Sequence, residues 1–229
     1  MVTYSQRILK GGGLVAWQRF SRFRKAGEAI KQFAKIGMLN ELLDIGAADG
    51  IGLPFLKPLV KSVLSVNYYE EHTEEFKLAH PDDPVITADA RKLPLSDSSV
   101  DVVVSFETLH LLGGKLERRK ALSEIHRLLR DDGLLVCSVP IEIGYPALIK
   151  LAARAYTGHQ LHRMNLTMAL RHAFYKKTNL DQLDNGKQVG FNAYNFLDDV
   201  RRLFTVLKVE VIPIPILFPM NLLIVARKC

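Results

Sequence analysis

The sequence predicts an α/β fold: a doubly wound sheet of seven mostly parallel strands with an antiparallel hairpin at its C-terminal edge. Short, continuously apolar runs alternate with helical patterns along the chain, which is typical of parallel strands covered by helices on both faces. The last two apolar runs, at 206–214 and 221–227, have no helix between them and therefore predict the hairpin. A composition of 48% hydrophobic and 24% charged residues excludes a disordered chain.

The first half of the chain begins with a basic amphipathic helix at 14–36. Trp17, Phe20 and Phe23 recur at helical spacing on one face, and Arg and Lys residues fill the other. An apolar run that ends in a glycine predicts a buried strand next, and prolines shorten the helix after it. The elements expected up to residue 90 are strands at 41–45, 62–67 and 84–87 and helices at 51–59 and 70–78.

The second half contains the clearest strand, Val100–Phe106, because this run is rich in β-branched residues. An amphipathic helix at 116–129 follows, and Asp131-Asp132-Gly133 is a stop signal for it. An apolar run then predicts a strand at 134–139, and a helix at 196–204 precedes the terminal hairpin.

We expect a single domain over 1–229. It comprises a basic helical arm at 1–40, a core at 41–140, a mostly helical insert at 141–190, and a C-terminal helix with the edge hairpin at 191–229. Two cysteines, Cys137 and Cys229, are too few for a disulfide framework or a multi-cysteine zinc site, and we expect no metal. With no signal-peptide pattern, and with prolines breaking the most apolar window at 211–226, we expect a cytoplasmic protein.

The chain has a net charge of +7, and two segments carry an excess of positive charge. Residues 1–40 hold eight Lys or Arg residues and one acid, and the rest of the chain is balanced. Within that balanced part, residues 143–180 contain six Lys or Arg residues, three His residues and no acid. Either these are solvated surfaces, or an anionic partner binds near both segments.

A glycine loop follows the first strand, in the stretch from Leu42 to Gly50 that reads LLDIGAADG. Gly46 and Gly50 allow a tight turn and a close approach of the backbone to a ligand. The loop does not have the spacing of a dinucleotide fingerprint or a P-loop. Asp44, two residues before the first glycine, is a poor neighbour for a pyrophosphate and suits a ligand that carries an ammonium group.

Four ordered motifs between residues 40 and 140 together resemble the class I S-adenosylmethionine-dependent methyltransferases. They are the loop at 42–50, the segment from Val85 to Val103 that contains DARKLP, the segment FETLH at 106–110, and the helix and turn at 124–135. The resemblance implies the Rossmann-like methyltransferase fold, S-adenosylmethionine as cofactor, and methyl transfer as the activity.

The resemblance also implies roles for individual residues. Asp44, Gly46, Ala47 and Gly50 form the floor beneath the methionine part of the cofactor. Asp89 accepts a hydrogen bond from the adenine amino group beside the backbone of Ala90, Tyr68 packs on the adenine, and Phe106 lines the sulfonium end.

The sequence departs from the family pattern at two positions near the cofactor. Ala48 replaces the second glycine of the loop. Asn67 replaces the acid that ends the second strand and binds the ribose hydroxyls, so we expect a weakened ribose contact that Asn67→Asp would strengthen. Glu70 or Glu71 lies close enough along the chain to take over that contact.

The motifs say less about the residues that bind the methyl acceptor than about those that bind the cofactor. His110, after the fourth strand, is the candidate general base, and it could equally touch only the cofactor. Tyr145, His159 and His162 belong to the insert, where the family builds its substrate lid. Together with the basic residues of the insert, these side chains favour a polar or anionic acceptor. We expect a small molecule, a glycan or a lipid-linked acceptor that is methylated at an O, N or C atom.

Other interpretations remain open at this point. The basic arm could rest on an anionic membrane, or pack over the cofactor cleft with its aromatic face inward, which we favour. The chain lacks the motifs of nucleic-acid base methyltransferases, so an RNA substrate is disfavoured. Because of Asn67, a catalytically degenerate binding or regulatory protein is the main alternative to an enzyme. The oligomeric state is not predicted.

Overall fold

A computed structural model describes residues 12–35, 39–141, 182–184, 187–189, 191–214 and 218–229. The helices are α1 (Gly12–Phe33), α2 (Leu53–Leu56), α3 (Glu70–Ala79), α4 (Gly114–Leu128) and α5 (Ala193–Arg201). The strands are β1 (Glu41–Ile45), β2 (Ser62–Asn67), β3 (Val85–Thr87), β4 (Val100–Phe106), β5 (Leu129–Pro140), β6 (Gln182–Asp184), β7 (Lys187–Val189), β8 (Phe204–Ile214) and β9 (Phe218–Lys228). Short 3-10 turns at Lys57–Leu59 and Leu109–Leu111 complete the described elements.

Seven strands form one sheet in the order β3-β2-β1-β4-β5-β9-β8. The first five strands are parallel, and β9 inserts antiparallel between β5 and β8. This confirms the predicted doubly wound sheet and its antiparallel C-terminal edge. The strand order reverses between β1 and β4, where such sheets bind their ligands, outside the carboxyl ends of the strands.

Helices cover both faces of this sheet with two separate hydrophobic layers. One layer joins α4 and α5 to one side of the strands, through residues such as Ile125, Phe196 and Leu43. The other joins α1, α2 and α3 to the opposite side, through residues such as Ile30, Phe76 and Leu42. Neighbouring residues of β1 thus face opposite layers, and this is why its sequence is apolar without alternation.

The structure differs from the sequence prediction in three local features. Helix α1 begins at Gly12, inside the glycine triplet that was expected to break the chain before the helix. Helix α4 ends at Leu128 and β5 begins at the next residue, so Asp131-Asp132-Gly133 forms a bulge in the strand instead of a helix stop. Strands β6 and β7 form a small hairpin within the region expected to be helical and loop-rich.

The bulge has a clear physical basis. Asp132 has a left-handed φ of 62°, and a Cβ at Gly133 would lie 2.8 Å from the carbonyl oxygen of Arg130. Lys228 Nζ donates to the carbonyl oxygen of Leu129 at 2.7 Å and so holds the start of β5 against the last strand. In the described ranges, no helix combines the length and apolarity needed to span a lipid bilayer.

Candidate functional site

The loop after β1 lies at the switch point and contains three residues in the left-handed region. Gly46 has φ 82°, Ala48 has φ 53° and Gly50 has φ 82°. Only glycine adopts such values without steric cost, so the two glycines are required by backbone geometry and Ala48 is strained. The loop turns back over β2, because Gly46 N–H donates to the carbonyl oxygen of Val66 at 2.7 Å.

Both glycines also have neighbours that leave no room for a side chain. A Cβ at Gly46 would lie 2.1 Å from Thr108 Oγ1, and Thr108 is held in place because its hydroxyl donates to the carbonyl oxygen of Phe106 at 3.1 Å. A Cβ at Gly50 would lie 2.3 Å from the His80 ring. The loop therefore fits closely between the segment after β4 and the end of α3.

Asp44, near the end of β1, is a buried carboxyl group with 2% of its surface exposed. Burial raises its pKa to about 7, and the nearby charge of Arg22 acts in the opposite direction. Within the described part of the chain, no group donates a hydrogen bond to this carboxylate. A ligand ammonium group would supply the missing charge partner, as the sequence predicts.

The Asn67 side chain, at the end of β2, binds the loop backbone. Its Nδ2 donates to the carbonyl oxygen of Ala48 at 2.9 Å, and its Oδ1 accepts from the N–H of Ala48 at 2.8 Å. Asn67 is 2% exposed. The ribose contact expected of Asn67 stays a prediction, and the structure gives its amide two other partners.

The predicted adenine end has a carboxylate fixed by an arginine. The Asp89 carboxylate accepts from Arg91 Nε at 2.9 Å and from the Arg91 backbone N–H at 2.9 Å, and Arg91 also pairs with Glu117. These bonds lower the pKa of Asp89, so this carboxylate stays ionised and remains an acceptor. Ala90 is buried beside it, whereas Tyr68 is exposed with its ring edge-on to Tyr69 at 5.0 Å.

Helix α1 packs part of its aromatic face against the end of β4 and against α2. The Phe23 ring lies edge-on to Phe106 at 4.9 Å and stacks on Phe55 at 5.7 Å. Trp17 is 44% exposed, so this aromatic residue of the helix faces solvent. Arg22 is buried above the Phe23 ring, which means that only part of the positive charge on the arm is accessible to a partner.

A polar cluster at the carboxyl ends of β4 and β5 was not identified from the sequence. Glu107 has a left-handed φ of 56°, and its Oε1 accepts from Ser138 Oγ at 3.2 Å and from Asn221 Nδ2. Burial raises the pKa of Cys137 to about 12, and the nearby charge of Glu107 acts in the same direction. The FETLH segment was noted as a motif, but neither the strained backbone nor the contact with β9 can be inferred from its letters.

His110 lies in the 3-10 turn after β4, with its ring 5.6 Å from the Phe191 ring. Arg118 is buried, and its guanidinium lies 5.3 Å from the same Phe191 ring. Tyr145, His159 and His162 lie outside the described residues. In the part of the chain that is described, no group of three or more His, Cys, Asp or Glu side chains could hold a metal ion.

The described residues fit S-adenosylmethionine in three respects. A buried carboxylate without a hydrogen-bond donor among the described residues suits the ammonium group, and beside it the loop at 46–50 makes the tight turn that positive φ values at Gly46 and Gly50 allow. After β3, two strands away in the sheet, Asp89 stays ionised as a hydrogen-bond acceptor.

Comparison with known proteins supports the same reading. Residues 43–137 match the family described as a methyltransferase domain. A probable S-adenosylmethionine-dependent methyltransferase of Mycobacterium tuberculosis is 29% identical over 123 residues, which cover 54% of this chain and 44% of that protein. A ubiquinone/menaquinone biosynthesis C-methyltransferase of Campylobacter jejuni is 27% identical over 140 residues, covering 58% and 55% of the two chains. The chain thus spans about half the length of these relatives.

Solved structures show the likeness of the fold. The N-methyltransferase NodS from Bradyrhizobium japonicum, in complex with S-adenosyl-l-homocysteine, has a TM-score of 0.59 at 14% identity and covers 90% of this chain and 86% of its own. A methyltransferase from Aquifex aeolicus has a TM-score of 0.58 at 18% identity and covers 97% of both chains.

Proposed function

We propose, from the premise that this chain belongs to the class I S-adenosylmethionine-dependent methyltransferases, that it transfers a methyl group to a polar or anionic acceptor. The observation that carries this proposal is the loop at 46–50, with its left-handed residues and blocked Cβ positions, beside the buried carboxyl of Asp44. When bound, the cofactor supplies an electrophilic methyl group on a sulfonium, and the protein supplies binding and orientation.

We assign the cofactor site to residues from four strand ends, those of β1, β2, β3 and β4. Asp44 neutralises the ammonium group, while Gly46, Ala47 and Gly50 present the loop backbone. A second group holds the adenine end and the reacting end: Asp89 accepts from the adenine amino group beside Ala90, Tyr68 covers the ring, and Phe106 lines the cleft. The contact between Phe106 and Phe23 closes the cleft from the side of the arm, which excludes water from the reacting end.

The acceptor site lies over the carboxyl ends of β4 and β5. His110 is the candidate general base, and it would take a proton from a hydroxyl or amine acceptor as the new bond forms. Glu107, with Ser138 and Asn221, forms a second polar group that can bind an acceptor hydroxyl or amine. Residues of the insert, Tyr145, His159 and His162, are proposed to contribute to acceptor binding.

The acceptor class follows from the charge distribution and is a further part of this proposal. The two basic segments favour an anionic or polar small molecule, glycan or lipid-linked substrate, and exposed Arg24 on α1 could contact an anionic membrane surface. With most of the aromatic face of α1 against the protein, a cleft cover is the better supported role for the arm. Two free cysteines suit a reducing compartment such as the cytoplasm.

A labelling experiment tests the proposed function. The chain is incubated with S-adenosylmethionine labelled in the methyl group and with two extracts of the source cells, one of deproteinised water-soluble metabolites and one of lipids. We expect label in a product from one extract, and much less of it with Asp44→Asn. If the chain binds the cofactor but labels nothing in either extract, the degenerate binding protein becomes the better account. Absence of cofactor binding rejects the enzyme and leaves a degenerate regulatory protein.

A further inference from the structure

The amide of Asn67 and the backbone of Ala48 form a matched pair, although the two residues lie on different segments. The amide donates to the carbonyl oxygen of Ala48 and accepts from its N–H, at 2.9 and 2.8 Å. Because residue 48 offers one donor and one acceptor, these two partners also determine which way the amide is oriented. Asn67 itself is anchored in the sheet, since its carbonyl oxygen accepts from Ala88 N–H at 2.9 Å.

The backbone that Asn67 binds is strained. Ala48 has a φ of 53°, a conformation that alanine disfavours because its Cβ approaches the following carbonyl. Gly46 and Gly50, on either side, adopt positive φ values without that penalty. The two side-chain hydrogen bonds act on the one left-handed residue of the loop that is not glycine, and the Asn67 side chain that makes them is buried.

We infer that Asn67 is a positioning residue, which holds the cofactor loop in its binding shape in place of a second glycine, and that the ribose contact does not depend on its side chain. This inference rests on the proposed function, because it assigns the loop to S-adenosylmethionine. It also reverses the expected effect of Asn67→Asp. A carboxylate at position 67 keeps the acceptor for Ala48 N–H but sets a second acceptor against the Ala48 carbonyl oxygen, so it would open the loop.

A double-mutant cycle between positions 48 and 67 tests the inference, with S-adenosylhomocysteine as the titrated probe. We expect Asn67→Ala and Asn67→Asp each to weaken its binding by about tenfold, since two partly buried hydrogen bonds are lost or one is replaced by repulsion. Adding Ala48→Gly should bring both variants back to within about threefold of wild type, because glycine adopts the loop conformation unaided. Asn195→Ala, on α5, is the control and should bind like wild type.

The results distinguish Asn67 as a positioning residue from Asn67 as a ligand of the cofactor ribose. Tighter binding by Asn67→Asp, or loss of affinity that Ala48→Gly does not rescue, would overturn it in favour of a ribose ligand. Thermal unfolding without ligand of wild type, the two Asn67 variants and the same variants with Ala48→Gly gives a second readout, in which Ala48→Gly should recover stability lost in the Asn67 variants. If wild type does not bind the probe at all, the proposed function fails, and the unliganded cycle alone then decides the pairing. If Asn67→Ala does not fold, the Asn67→Asp pair carries the test.

Discussion

The buried carboxyl of Asp44 makes cofactor affinity depend on pH in a defined direction. In the free protein its pKa is raised from the ordinary 3.8 to about 7 by burial. A bound ammonium group favours the ionised form and lowers that pKa again. Binding therefore releases a proton wherever the free protein is protonated at Asp44, and affinity must rise as the pH rises through 7.

The size of the effect follows from that pKa. If the pKa in the complex falls to about 5 or below, S-adenosylhomocysteine should bind about tenfold more weakly at pH 6 than at pH 8, and about one proton should be released at pH 6. The raised pKa of Asp44 also makes the stability of the folded protein depend on pH. The stability contributed by protonated Asp44 is fully present below pH 3.8 and is lost as the pH rises through about 7.

Calorimetric titration at pH 6, 7 and 8, in buffers of different ionisation enthalpy, measures both the affinity and the protons released. Asp44→Asn removes the titrating group, so its affinity should be low and nearly independent of pH. Arg22→Gln should move the rise in affinity to higher pH, because the charge of Arg22 opposes the raised pKa of Asp44. Equal affinity of wild type at pH 6 and pH 8, or a slope that survives in Asp44→Asn, would refute the reasoning.

Three further outcomes are expected. Gly46→Ala should reduce S-adenosylhomocysteine affinity by at least about tenfold, because its Cβ would meet Thr108 Oγ1 at 2.1 Å at a positive φ. Gly27→Ala, whose Cβ would have its nearest contact at 3.6 Å, should bind like wild type, and equal binding by both variants would contradict the loop geometry. In single-turnover kinetics, His110→Gln should lower the rate of methyl transfer about a hundredfold, while titration should show S-adenosylhomocysteine affinity within about twofold of wild type. An unchanged rate would show that His110 is not the general base. Arg24→Glu should raise the apparent KM for the acceptor at low salt and leave cofactor affinity unchanged, with Arg201→Glu on the distant α5 as control; identical KM values for both would exclude a role of the arm's charge.

Much of the fold could be predicted because strand and helix signals are local. The β-branched run Val100–Phe106 and the apolar run Glu41–Ile45 became strands with the expected bounds. The end of α4 could not be placed in the same way. Asp131-Asp132-Gly133 is a helix stop by composition, but pairing of Leu129 with Val100 draws the residues before it into β5.

The site was predictable only where one segment supplies the geometry. The positive φ of Gly46 and Gly50 follows from glycines in a tight turn after a strand. The partners of Asn67 and Glu107 depend on contacts across the sheet: Asn67 meets Ala48 through the register of β1 and β2, and Glu107 meets Asn221 because β9 inserts beside β5. Such contacts between residues 19 and 114 positions apart leave no local signal in the sequence.

The central claim is that the loop at 46–50 binds S-adenosylmethionine, and one titration tests it most directly. Wild type and Gly46→Ala are titrated with S-adenosylhomocysteine at pH 8, where Asp44 is ionised. Our account predicts a single site with a Kd in the micromolar range for wild type and a binding constant reduced by at least about tenfold for Gly46→Ala. No heat and no thermal shift with wild type at millimolar ligand, or equal binding by the two proteins, would contradict it.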